Sequence, residues 1–170
     1  FVVDGTFNFV KSSGTLNLSD GTQDLAVERL LLGGTVTNAF VGVNGGGAQA
    51  AGLGLTDVEF AMGLFKPTDE ADTRSWTALK ATAGGGVFSG VDALEMAVST
   101  LTVAINLGGG SGNTTVAAFS EKLTIATGPG TSVDLDFDGA DGTLFSASGG
   151  VAINVGGFFG AAGTFTITKS

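Results

Sequence analysis

The sequence contains no histidine, no cysteine and no tyrosine, and only two prolines. Without histidine or cysteine the chain cannot build Ser-His-Asp or Cys-His catalytic arrangements, disulfides, thiolate metal sites or His-ligated zinc. A Ser-Lys pair is the nucleophilic arrangement left open. No glycine directly precedes a lysine, which removes the phosphate-cradling P-loop. Positive charge is scarce. Seven Lys and Arg against sixteen Asp and Glu give a net charge of −9, which repels nucleic-acid phosphates and anionic lipid headgroups. Every apolar stretch is broken by glycine, hydroxyl or charged residues well short of the ~18 a membrane-spanning helix needs. The expectation is a chain that is not an enzyme, binds no nucleic acid and does not insert into membranes. It opens on Phe1 with no signal-peptide pattern, and so reads as processed or as part of something longer.

What is present points to β-structure. Thirty glycines make long helices unfavourable, while 43% apolar residues is too much for a disordered chain. Thirteen Phe among abundant Val, Thr and Leu suit pleated surfaces.

The two ends of the chain repeat one another. Phe1, Gly5, Thr6, Phe7, Lys11 and Ser12 return as Phe159, Gly163, Thr164, Phe165, Lys169 and Ser170 at a constant offset of 158, six identities in twelve ungapped positions. Residues 1–158 therefore read as one β-rich repeat unit, and 159–170 as the start of the next copy. Shorter echoes lie inside. Val103-Ala104-Ile105-Asn106-Leu107-Gly108-Gly109 returns at 151–157 with one change, and Leu101-Thr102-Val103-Ala104 returns in looser form 22 residues later.

Alternation predicts strands over 53–65, 76–88, 94–107, 115–126 and 150–158. Turn signals separate the strands: Ser12-Ser13-Gly14, Asp20-Gly21, Asn44-Gly45-Gly46-Gly47, the 108–113 loop and Gly128-Pro129-Gly130. Lys66 to Arg74 reads as an exposed loop or one helical turn. Three segments, Leu25 to Leu32, Leu53 to Phe60 and Met96 to Val103, alternate with one extra residue in the middle, the mark of a β-bulge. The fold class expected is all-β, an elongated repeat architecture made of a long-stranded antiparallel meander, curved or folded into a sandwich. A β-solenoid with rungs of about 22 residues is the alternative, since it would explain the 22-residue echo. With eight or nine strands per copy, stacking at ~4.8 Å would advance each copy on the order of 40 Å.

The segments Gly52-Leu53-Gly54-Leu55-Thr56-Asp57-Val58-Glu59-Phe60, Arg74-Ser75-Trp76-Thr77-Ala78-Leu79-Lys80-Ala81-Thr82-Ala83 and Ala126-Thr127-Gly128-Pro129 resemble a tandem repeat of very large, acidic, secreted bacterial proteins. Those proteins are adhesin-like and often carry RTX-type calcium-binding modules elsewhere. The resemblance covers nearly the whole chain and implies a structural role at the cell surface, with no catalytic residues to carry over. The glycine-aspartate nonapeptide of RTX modules is absent here.

Among candidate sites, Val133-Asp134-Leu135-Asp136-Phe137-Asp138-Gly139-Ala140-Asp141 is the most suggestive. Asp134, Asp136 and Asp138 share one strand face and Asp141 follows closely, an oxygen-rich set suited to calcium. Position twelve of an EF-hand loop would fall on Phe145, so that motif is excluded. A solvated acidic face opposite buried Val133, Leu135 and Phe137 is the plainer reading. Asp69, Glu70 and Asp72 near Arg74 form a second acidic patch, and Trp76 suits a core position or sugar stacking. The expectation is a structural repeat of an extracellular bacterial fibre or surface layer, self-associating by continuing its sheet from copy to copy. The alternative is a calcium-dependent adhesin module for a glycan or surface.

Overall fold

The computed structural model describes residues 2–44, 47, 49–90 and 94–169. Phe1 and Ser170 of the repeated end motif, and Gly45 and Gly46 of the expected Asn44 to Gly47 turn, lie outside the described residues. Among the described residues ten strands form: β1 (Val2–Leu18), β2 (Leu25–Val43), β3 (Ala51–Pro67), β4 (Ser75–Ser89), β5 (Leu94–Gly109), β6 (Ala117–Ala118), β7 (Leu123–Gly128), β8 (Thr131–Leu135), β9 (Leu144–Val155) and β10 (Phe159–Lys169). Eight make one open antiparallel sheet in the order β10-β9-β5-β4-β3-β2-β1-β6, while β7 and β8 form a separate hairpin.

The meander is therefore the architecture, and the solenoid alternative falls. The two members of the 22-residue echo occupy different layers, 101–104 in the large sheet and 123–126 in the hairpin. The single strand expected over 115–126 is also corrected. It divides into two-residue β6 and six-residue β7, separated by Phe119 to Lys122. Nine strands precede the repeated end motif among the described residues, within the eight or nine expected, but only six of them, β1–β5 and β9, are long strands of the large sheet.

Turns follow local chemistry. Asp20 accepts from the Thr22 amide at 2.9 Å beside Gly21, whose φ of 89° needs no side chain. That amide holds the Asp20 carboxyl below the ordinary carboxylate value. At the next turn Asp69 accepts from Ala71 and Arg74 grips Asp72 in a fork, its Nη2 donating at 2.6 Å.

Because directly paired residues share a face, the registers divide the sheet into two unlike surfaces. One cross-sheet row runs Thr6, Thr35, Glu59, Thr82, Thr102, Ser148 and Thr166, and is polar throughout. The adjoining row on the opposite face runs Phe7, Gly34, Phe60, Ala81, Val103, Ala147 and Ile167, and is apolar throughout. A crease crosses the sheet where Asp57 and Thr100 adopt φ of 51° and the registers shift at Asp4/Gly5 and Ser99/Thr102. The bulges expected between Leu55 and Val58 and between Val98 and Leu101 lie on this crease. The one expected within Leu25 to Leu32 does not form, and β2 pairs there without interruption.

Residues 115–137, carrying β6, β7 and β8, lie across one half of the polar face and close the core. Leu16, Leu18, Val27, Leu31, Ala61, Phe65, Trp76 and Ala78 from the sheet meet Ala117, Ile125 and Leu135 from this cover. The sheet makes room for the cover with small residues. A Cβ at Gly33 would overlap the Ala126 carbonyl oxygen, and one at Gly108 the Thr115 carbonyl oxygen. The run Gly84 to Gly86 meets no residue of this cover among the described residues. A Cβ at Gly86 would instead meet Leu55 of the neighbouring strand.

Candidate functional site

Two places on this scaffold could carry function: the acidic end of the cover and the two outer edges of the sheet.

In the first, β8 lays Val133 and Leu135 down onto the sheet and lifts Asp134 outward. Lys122 Nζ donates to Asp134 Oδ2 at 2.7 Å and Thr124 Oγ1 to Oδ1 at 2.6 Å. The Lys122 ammonium and the Thr124 hydroxyl hold the Asp134 carboxyl below the ordinary carboxylate value, and Asp134 in turn raises Lys122. Asp136 pairs with Lys80, which rises from β4 and stands 5.4 Å from the Phe137 ring centre. Asp138 accepts from the Ala140 amide at 2.8 Å, so it shapes its own turn. Asp136, Asp138 and Asp141 line a recess of about 240 Å³ together with Lys80 and Asn106, while Asp134 does not face it. Two of the four candidate calcium ligands are thus already neutralised by lysines. Among the described residues no three His, Cys, Asp or Glu side chains are grouped so as to hold a metal ion.

Asn106 was not singled out by its sequence context, although the same peptide recurs at 151–157. It is 1% exposed, donates to the Ala117 carbonyl at 2.8 Å and leaves its own Oδ1 without a partner. Its counterpart Asn154 sits at the opposite end of the sheet, exposed, and donates to Glu95. The repeated peptide therefore supplies similar strand ends and two different uses of one amide. Trp76 is 1% exposed and donates to Thr115 Oγ1 at 3.1 Å, while the Arg74 guanidinium lies 5.3 Å from its ring centre. It belongs to the core and offers no face for sugar stacking.

The second place is set by the repeat. β1 pairs with β2 along nearly its whole length, and on its other side meets only β6, at Asn17 and Leu18. β10 pairs with β9 from Phe159↔Val155 to Lys169↔Phe145 and, among the described residues, has no strand on its outer side. The two segments that share the end motif thus stand at opposite margins of one sheet, each with a free edge. Neither edge carries the usual protection. β10 has no proline and no charge from Phe159 to Thr168, and β1 over the same stretch has only Asp4. Gly5 and Gly163, equivalent in the motif, differ in surroundings. A Cβ at Gly5 would overlap the Thr35 carbonyl oxygen and lie 2.8 Å from Val36 Cα, whereas one at Gly163 would meet nothing within 4 Å.

Comparison with known proteins finds no matching family model, no similar curated protein and no matching solved structure.

Proposed function

We propose that this chain is a structural repeat of an extracellular bacterial fibre or surface layer, in which successive copies join by continuing one β-sheet. A single observation carries the reading: the strand that repeats the β1 motif is β10, and it lies at the far margin of the sheet with its outer edge open. In a following copy β10 is that copy's first strand, and its open edge is the one that β2 takes in the first copy. The repeat boundary then falls inside the β9–β10 hairpin, turned by Gly156 and Gly157 at positive φ. Joined copies share one backbone ladder, and each covers its neighbour's otherwise unprotected edge. Following the cross-sheet rows from β1 to β10 moves position 6 onto Thr166, the equivalent of position 8. Each copy therefore shifts the register by two residues, and a right-handed twist of about 20–25° per strand turns the ribbon steadily.

The extracellular and bacterial parts of the proposal rest on the resemblance to secreted adhesin-like repeats. No catalytic role is proposed. The test is amide hydrogen exchange on the chain and on a two-copy chain in which residues 13–170 follow residue 170. The outward amides of 159–169 should exchange fast in the single copy and become protected in the double one. Equal, fast exchange in both would refute sheet continuation.

A further inference from the structure

We propose that the apolar face of the large sheet is a face-to-face interface with a second copy of this chain, giving a two-layer sandwich. This interface is separate from the edge contacts proposed above. The cover of residues 115–137 lies wholly on the other face, reaching Gly33, Trp76, Lys80 and Asn106. Among the described residues nothing covers the surface carrying Phe7, Phe60, Leu79 and Val103. Phe7 and Phe9, at the margin of this surface, are 45% and 65% exposed.

Three features select a second copy as the occupant. The first is area. Seven long strands at ~4.8 Å spacing and about ten residue steps at ~3.3 Å give roughly 1,000 Å² per copy. A lone patch on a typical monomer reaches only about 300–600 Å². Two such faces would bury about 2,000 Å², the size of a stable protein interface. The second is charge. Outside the crease, the seven long strands place no charged residue on this face, among the described residues, beyond Lys11, Glu28 and Lys66 at one end and Lys169 on β10. Two copies with a net charge of −9 each can therefore meet there without opposing their carboxylates. The same −9 disfavours an anionic lipid surface. The third is relief. Phe60 projects beside Gly34, and Phe165 beside Gly149. Such knobs and hollows interdigitate when two sheets pack about 10 Å apart.

The chain's two methionines, Met62 and Met96, both lie on this face, paired with Leu79 and Phe88. They permit a test without substitution. Sedimentation should give twice the chain mass at high concentration, with peroxide oxidation of both methionines slowed at least tenfold relative to a dilute, dissociated sample. The double variant Phe60→Asp, Leu79→Asp should sediment as a monomer with an unchanged β-sheet circular dichroism spectrum. Thr56→Asp, on the polar face, should leave the pair intact. Three results would each overturn the proposal: a monomer with freely oxidised methionines at high concentration, association that survives the double variant, or flotation of the chain with phosphatidylcholine vesicles. Loss of folding in the double variant would leave the methionine result on the unmodified chain to decide between the two outcomes.

Discussion

Gly5 and Gly163 occupy the same position of the repeated motif, yet only Gly5 is confined, by the backbone of Thr35 and Val36 on β2. If β10 is the first strand of a following copy, the same confinement must arise at Gly163 once that copy's β2 is present. Gly163→Ala should therefore leave the single chain's stability within about 0.5 kcal/mol, while in the two-copy chain it should cost about 1–3 kcal/mol through overpacking. Urea unfolding of both forms measures the difference. The aspartates of the cover give a second expectation at this scale. Asp134 and Asp136 are held by Lys122 and Lys80, so an ion would have to displace ammonium groups to bind. Melting temperature should be the same in excess calcium and in excess chelator. A calcium-dependent rise of several degrees would assign a cation to Asp136, Asp138 and Asp141 instead.

The β7–β8 hairpin is a small element fixed largely from its underside, by Ile125 and Leu135, and tied across its outer surface by Lys122, Thr124 and Asp134. The Asp134 carboxyl titrates lower in the folded chain than in the unfolded one, so its contribution is present above the ordinary value of 3.8 and is lost as pH falls through the lowered one. Lys122 is raised, so its contribution is present below 10.5 and is lost as pH rises through the raised value. Stability should accordingly fall at both extremes, with the cover loosening first. Trp76, the chain's only tryptophan, is buried under residues 115–117, and its emission should shift to the red before the sheet's circular dichroism changes. Lys122→Met should flatten the acid limb, since it removes the main cause of the Asp134 shift. Most of the sheet was legible in the sequence because alternation, glycine and aspartate turns and the bulge spacing at Asp57 and Thr100 are local signals, although Ser12-Ser13-Gly14, expected as a turn, pairs without interruption inside β1. The cover was not. Its strands are two, six and five residues long, and its apolar residues Leu123 and Ile125 alternate with Thr124 and Ala126 like one more strand of the meander. Only long-range packing puts them on top of the sheet. Gly33 and Gly108, where the layers touch, are likewise indistinguishable in sequence from the glycines of the crease. Among the candidate ligands, strand spacing expected Asp134, Asp136 and Asp138 on one face, but β8 ends at Leu135, and Asp136 and Asp138 line a recess that Asp134 does not face. The lysines that occupy Asp134 and Asp136 come from 12 and 56 residues away, beyond any local pattern.

At the scale of the whole molecule, the repeat at the chain's ends and the open sheet fit one another: a motif spaced 158 residues apart in sequence is spaced six strands apart in the sheet. A compact closed domain would have to bring its first and last strands together or cap them. Here the two stand at opposite margins and present the same two faces. Phe7 and Phe165 both lie on the apolar face, Thr6 and Thr164 both on the polar one. Residues 115–137 add thickness to each copy without adding length, because they stack on the sheet rather than extend it. If copies join as proposed, the advance per copy is about six strand spacings of ~4.8 Å, or roughly 29 Å, shorter than the 40 Å or so that a strand count from sequence suggests. The most direct test is the maximum dimension, by small-angle scattering, of chains carrying one, two, three and four successive copies. Because the longest strands are themselves roughly 60 Å long, sheet continuation predicts an increment that rises with copy number toward, and never exceeds, roughly 29 Å per copy. Growth as the square root of copy number, as for compact beads on flexible linkers, or a constant increment of about 40 Å or more, would contradict it.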